Sequence, residues 1–152
     1  MALPTPASAS PSDVVTWATA TSRHKTLDRA IVFRFAKDFR PGFRRADLPH
    51  RAIVMWRYTS DSGMPGASER EDMDRLEDLL APLVERPGVA LLALVSTGEN
   101  LREWIFYARS EDQFMELLNM ALRDQKRFPI EIDIEQDAEW STYDRFRKGV
   151  RE

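Results

Sequence analysis

Cysteine is absent from the 152 residues. That removes disulfide staples, thiolate zinc sites and a thiol nucleophile from the possible chemistry. Histidine is nearly absent, with His24 and His50 the only two. Each stands beside a basic residue and neither belongs to an H-E-x-x-H or acid–His spacing, so both read as surface or strand-edge residues. There is no G-x-S-x-G elbow, no P-loop and no G-x-G-x-x-G turn, hence no ready nucleophile or phosphate cradle. An enzyme needs a positioned nucleophile, base or metal, and no motif supplies one. No segment is apolar enough to cross a bilayer. The opening Met1-Ala2-Leu3-Pro4-Thr5-Pro6 lacks the basic and apolar regions of a secretory signal, so a cytoplasmic location is expected.

What is present suits a folded domain. Hydrophobic residues make up 43% and charged residues 31% of the chain, which argues against a wholly disordered polymer. A mass of 17.6 kDa gives room for one substantial core. The charge is unevenly placed. Residues 1–60 carry ten Lys and Arg against four Asp and Glu, whereas residues 61–152 carry twelve against twenty-one. The two parts either attract each other within one domain or present an acidic surface to a basic partner.

Residues 1–12 are almost wholly Ala, Ser, Pro and Thr and read as a flexible tail. Residues 13–49 hold two β-like runs, Val14–Thr19 and Ala30–Phe35, separated by the polar turn Ser22-Arg23-His24-Lys25; they pair as a hairpin. A loop from Lys37 to Pro49 follows. From His50 the pattern sharpens. Arg51–Tyr58 is a strand by its β-branched and aromatic content. Ser68 and Glu71 have capping-box spacing, with Met73, Leu76, Leu80, Leu83 and Val84 behind them on one helical stripe. Pro82 within that stripe kinks or shortens the helix, and Arg86-Pro87-Gly88 stops it. Val89–Val95 and Leu101–Arg109 are strands joined by a hairpin turn at Thr97-Gly98-Glu99-Asn100. Ser110–Gln113 is a second capping box, opening a helix with Phe114, Leu117, Leu118, Ala121 and Leu122 on its apolar face. Ile130, Ile132 and Ile134 alternate with Glu131, Asp133 and Glu135, a half-buried strand. Trp140, Tyr143 and Phe146, at steps of three, suggest a short helix docking its aromatics.

From His50 to Glu135 the order is strand, helix, strand, strand, helix, strand. This is the ferredoxin-like, split-βαβ arrangement. The expected fold is therefore α+β, a βαββαβ sheet over residues 50–150 with two helices on one face, extended by the N-terminal β-hairpin. The other sheet face is left for solvent, a partner or that hairpin.

The run from Arg51 to Tyr143 resembles a bacterial family named domain of unknown function 695. The resemblance rests on Trp56-Arg57-Tyr58, Gly63-Met64-Pro65, Met73-Asp74 with Leu76-Glu77, Leu92–Gly98, Arg102–Tyr107, Phe128-Pro129-Ile130, and Trp140 with Tyr143. It implies no assigned activity. Its fold is similar to that of the small acidic regulators that restrain ribonuclease E, which implies a binding role.

Two acidic clusters stand out. Glu69, Glu71, Asp72, Asp74, Glu77 and Asp78 load the first helix, where the dipole favours those in its first turns. Glu131, Asp133, Glu135, Asp137 and Glu139 make the second, and its first three share one face of the last strand. The plainer reading is a solvated helix and a strand paired with nearby arginines; the sharper one is an acidic recognition surface, or three carboxylates able to take a divalent cation. Arg102, Trp104 and Phe106 share a face of a central strand. Packing with a cation–π contact competes there with an interface role, on a side expected to be the open sheet face near Trp56. The expected activity is non-enzymatic binding of a basic protein, such as a nuclease or toxin, with no cofactor or metal, no membrane and no nucleic-acid motif. Its surface comprises Glu71, Asp72, Asp74, Glu77, Asp78, Arg102, Trp104, Glu131, Asp133 and Glu135. The alternative is a small enzyme or ligand-binding domain with a pocket on the open face.

Overall fold

A computed structural model describes residues 12–23 and 29–150. The expected tail, apart from Ser12, and His24 lie outside the described residues. The elements follow in the order β1 (Val14–Arg23), β2 (Ala30–Phe39), β3 (His50–Arg57), α1 (Ala67–Val84), β4 (Ala90–Gly98), β5 (Leu101–Ala108), α2 (Glu111–Leu122), β6 (Ile130–Gln136) and α3 (Ser141–Gly149), with a 3-10 turn at Arg45–Asp47 before β3. The six strands form one sheet in the order β1-β2-β4-β5-β3-β6, and every neighbouring pair is antiparallel.

The hairpin β1–β2 extends this sheet rather than covering it. Its second strand pairs with β4 from Val32 opposite Thr97 to Phe35 opposite Leu94. β2 also runs on to Phe39, past Lys37, where the sequence suggests a loop. The turn between β4 and β5 falls where expected. Glu99 and Asn100 both take positive φ, 52° and 65°, between the paired Gly98 and Leu101. Two such residues match the twist of the flanking strands.

Both α1 and α2 pack on one sheet face. Met73, Leu76, Leu80 and Val84 of α1 and Phe114 and Leu118 of α2 share a core with Ala52, Val54 and Trp56 of β3 and Trp104, Phe106 and Ala108 of β5. Ser110 caps α2, its Oγ accepting from the Gln113 N–H at 3.2 Å. The Ser68–Glu71 box does not form. α1 starts at Ala67 with Gly66 at the N-cap and no side-chain bond, which places Ser68 inside the first turn and Glu71 just beyond it. Pro82 sits in the last turn, and the helix ends two residues later, at Val84.

The other sheet face is covered over part of its area, which corrects the expectation of an open one. Leu91, Leu94, Ile105 and Tyr107 form a second core with Phe35, Leu48, Trp140 and Tyr143. The chain before β3 and the C-terminal α3 supply that cover. β4 is buried on both sides, with Ala90, Leu92 and Val95 in the helix-side core and Leu91, Ala93 and Leu94 in the second; a register shift between Leu92 and Leu94 inserts one extra residue and changes the alternation there.

α3 is held by one carboxylate. Asp137 accepts from the Tyr107 hydroxyl at 2.8 Å, from the backbone N–H and hydroxyl of Ser141 at 2.8 and 2.7 Å, and from the Thr142 N–H at 3.2 Å. It caps the helix in place of Trp140, which stands at the N-cap with φ of 58° and whose indole can donate but not accept. Burial pushes the Asp137 carboxyl up, but the bonds from Ser141, Tyr107 and Thr142 outweigh it and leave the carboxyl below its ordinary value. Burial, then donation to Asp137, raises the Tyr107 phenol. Because the native Asp137 pKa is depressed, its stabilisation is complete above the unfolded value, about 3.9, and is lost as pH falls through the native one. Asp137→Asn is expected to flatten the acid limb of stability over that window. Urea midpoints measured as a function of pH check this, and an unchanged slope contradicts it.

Candidate functional site

α1 turns its apolar stripe to the sheet and leaves its carboxylates on the remaining surface. Glu71, Asp74 and Asp78 are exposed and stand at i, i+3 and i+7, so they share one outward face. Among the described residues, Asp74 pairs with Arg102 at 3.6 Å and Asp72 with Arg75 at 3.7 Å, while no ion pair engages Glu71 or Asp78. α1 carries six carboxylates against two arginines. Its packing neighbour α2 adds Glu111, Asp112 and Glu116, with no basic residue. The helix layer is thus strongly acidic. The α2 carboxylates are absent from the expected site, although the amphipathic pattern that reveals the helix also assigns them to its outer side.

Glu77 plays a different part. It sits at the boundary of α1, where its Oε1 accepts from Trp104 Nε1 at 2.9 Å and from the Arg34 guanidinium. Beside it, Arg102 Nε donates to the Thr97 hydroxyl at 2.9 Å, and its guanidinium lies 5.6 Å from the centre of the Trp104 ring. Burial pulls the Arg102 guanidinium below its ordinary pKa, and Asp74 and Glu77 oppose that shift. Arg34, Asp74, Glu77, Thr97 and Arg102 line a cleft of about 310 Å³ with Thr19, Val32 and Val95. Two arginines and two carboxylates engage one another there, so the cleft joins the hairpin to α1 and leaves no free acid or base.

Trp104 is fully buried and Trp56 is 2% exposed. Both rings lie under the helices, 6.4 Å apart. Arg102 and Trp104 therefore face α1, not an open sheet surface, and of Trp56, Arg102 and Trp104 only Arg102 lines the cleft beside α1. The cation–π packing of Arg102 on Trp104 holds.

The last strand is also paired. Arg51 Nη2 lies 2.9 Å from Glu135 and 3.4 Å from Asp133, and Arg57 Nε lies 3.8 Å from Glu131. β6 pairs with β3, with Arg51 opposite Glu135 and Met55 opposite Glu131, so the basic residues of β3 meet the acidic ones of β6 across the ladder. The Glu131, Asp133 and Glu135 side chains stand on the face opposite the isoleucines that join the helix-side core. The two acidic clusters consequently lie on opposite sides of the sheet and form no single surface. Among the described residues, no group of three or more His, Asp and Glu is placed to hold a metal ion. No described helix is long and apolar enough to cross a membrane.

No curated protein matches the chain. The model of a family of unknown function, DUF695, matches residues 16–146. That span holds most of the hairpin, both sheet-covering helices, β3 to β6 and Trp140 to Phe146 of the aromatic C-terminal segment, and the chain belongs to this family.

Proposed function

We propose that this domain is a non-enzymatic binding module whose acidic helix layer docks a basic protein partner. The observation that carries this reading is the stripe Glu71–Asp74–Asp78, outward on α1, where among the described residues only Asp74 is in an ion pair. The β6 carboxylates, held by Arg51 and Arg57, drop out of the docking surface. The proposal is sharpest for a cytoplasmic nuclease or toxin, whose own substrate-binding surface is basic because it must meet phosphates. We read β3 to β6 with α1 and α2 as a ferredoxin-like unit. The strand order β6-β3-β5-β4, with both helices on one face, supports that reading.

Charge steering acts mainly through association rate and partner choice. Reversing Glu71→Lys together with Asp78→Lys is expected to slow association with the partner at least about tenfold at low salt. Each substitution is on a solvated surface and changes stability by no more than about 0.5 kcal/mol. The wild-type rate itself should fall as the Debye length shortens from about 30 Å at 0.01 M salt to about 8 Å at 0.15 M. The partner is first isolated by affinity capture on the wild-type chain, and stopped-flow rates are then compared across salt. Equal rates for wild type and double variant refute the docking face.

A further inference from the structure

Among the described residues the sheet ends in two edge strands, β1 and β6, each unpaired on its outer side, and they differ in kind. β6 is seven residues long and carries a carboxylate at every second position, Glu131, Asp133 and Glu135. β1 is ten residues long, with no charge and no proline from Val14 to Ser22. Native edge strands are normally blunted by charge, proline, bulges or a covering element, because their unpaired backbone groups template pairing with another chain. Among the described residues, the guard on β1 is limited to register shifts near its start, between Val14 and Trp17. Beyond them, Trp17–Arg23 runs regularly against Ala30–Ala36. Val15, Trp17 and the neighbouring Val32 are 59%, 38% and 37% exposed, three of the four exposed large hydrophobic residues among those described.

We propose that two copies of this chain pair antiparallel along β1, joining their sheets edge to edge into one twelve-stranded sheet. A second copy fits for three reasons. A strand neutral from Val14 to Ser22 meets its own image without like charges opposite each other, and it offers no carboxylate to a basic partner. Pairing about Thr19 sets Trp17 against Thr21, an aromatic–β-branched pair of the stabilising kind. The small Ala18 and Ala20 then meet on the other face. Thr21 stands opposite Val32 within each hairpin, so Trp17 and Val32 of both copies join one apolar strip across the dyad. Finally, a two-fold contact of one patch with itself closes at two copies, and the charged β6 edge gives the assembly no route to further growth. This inference is independent of the acidic docking face, since it is read out as mass and not as partner binding.

Sedimentation of the full chain over a concentration series is expected to show twice the 17.6 kDa of one copy. Thr19→Lys with Thr21→Lys, both at exposed positions, places guard charges on the edge. It should return the mass to one copy with an unchanged far-ultraviolet spectrum. A wild-type chain that sediments as one copy throughout overturns the proposal, as does a lysine variant that stays doubled. Should the lysine variant fail to fold, thiol cross-linking decides, because the chain has no cysteine of its own. Thr19→Cys should be joined into a covalent pair by a short bis-maleimide while Glu131→Cys on β6 is not, and failure of Thr19→Cys to cross-link overturns the pairing.

Discussion

Valine in place of Gly98 is expected to open the seam between the N-terminal hairpin and the rest of the sheet. Gly98 ends β4 where β2 passes close by. A Cβ at this position would stand 2.6 Å from the Ala30 carbonyl oxygen and 2.9 Å from the Ile31 Cα, on a backbone with φ of +156°. The obstructing atoms belong mostly to the backbone, so no rotamer change relieves them, and a β-branched residue adds two further carbons to the clash. Overpacking of a flexible core typically costs about 1–3 kcal/mol; against a fixed strand the cost should exceed about 3 kcal/mol, a large part of the total stability of a domain. The loss should also be local. Hydrogen exchange should show β1 and β2 amides losing protection while β3, β5 and β6 keep theirs, since the pairing of β4 with β5 does not involve the seam. Uniform protection with a urea midpoint close to wild type contradicts the account. The same seam carries Arg34 to Glu77, so its opening should also release the ion pair that ties the hairpin to α1.

The local grammar of this chain was readable because it rests on near neighbours. Phe114 and Leu118 with Ser110 as cap, the alternation of Ile130 to Ile134, and the Glu99-Asn100 turn are each set within a few residues, and each forms where the sequence places it. What failed to read was the choice of sheet face. Trp104 and Phe106 alternate with Ile105 and Tyr107, and all four are buried, so period two gave no sign of which side faced the helices. The cover for the second side comes from Leu48 and Trp140, far away in sequence. The Ser68 spacing suits a cap, but Gly66, with φ of −68° and ψ of 170°, takes the extended N-cap position two residues earlier. Glycine is tolerated at that position. The plainer reading of the β6 carboxylates, a strand paired with arginines, forms, but which arginines could not be read, because Arg51 and Arg57 sit on a strand more than seventy residues upstream. Pairing over such separations leaves no local periodic trace.

Trp140→Ala is expected to remove the cover from that second face. The ring is fully buried. It stacks on Tyr107 at 4.1 Å with the planes 12° apart, and meets Phe39, Phe43 and Tyr143 edge-on at 5.8, 5.7 and 5.6 Å. Its Nε1 donates to the Leu48 carbonyl at 2.9 Å, so one side chain pins both the chain before β3 and the start of α3. Deleting a buried aromatic of this size costs about 3–5 kcal/mol, and the orphaned Leu48 carbonyl adds to that cost. Trp140→Phe keeps an aromatic ring and loses the donor, so it should cost less, about 1–3 kcal/mol, most of it from the unsatisfied carbonyl. The alanine variant should bind a fluorescent apolar dye, because Leu91, Ile105 and Tyr107 lose the ring that shields them. Its helix-side core should stay intact, since Trp104 and Phe114 belong to the other cluster. Partner association through Glu71 and Asp78 should then persist in the fraction that remains folded. An alanine variant within about 1 kcal/mol of wild type and without dye binding would mean that α3 does not seal this face, and the sheet would again offer the open surface that the sequence alone suggests.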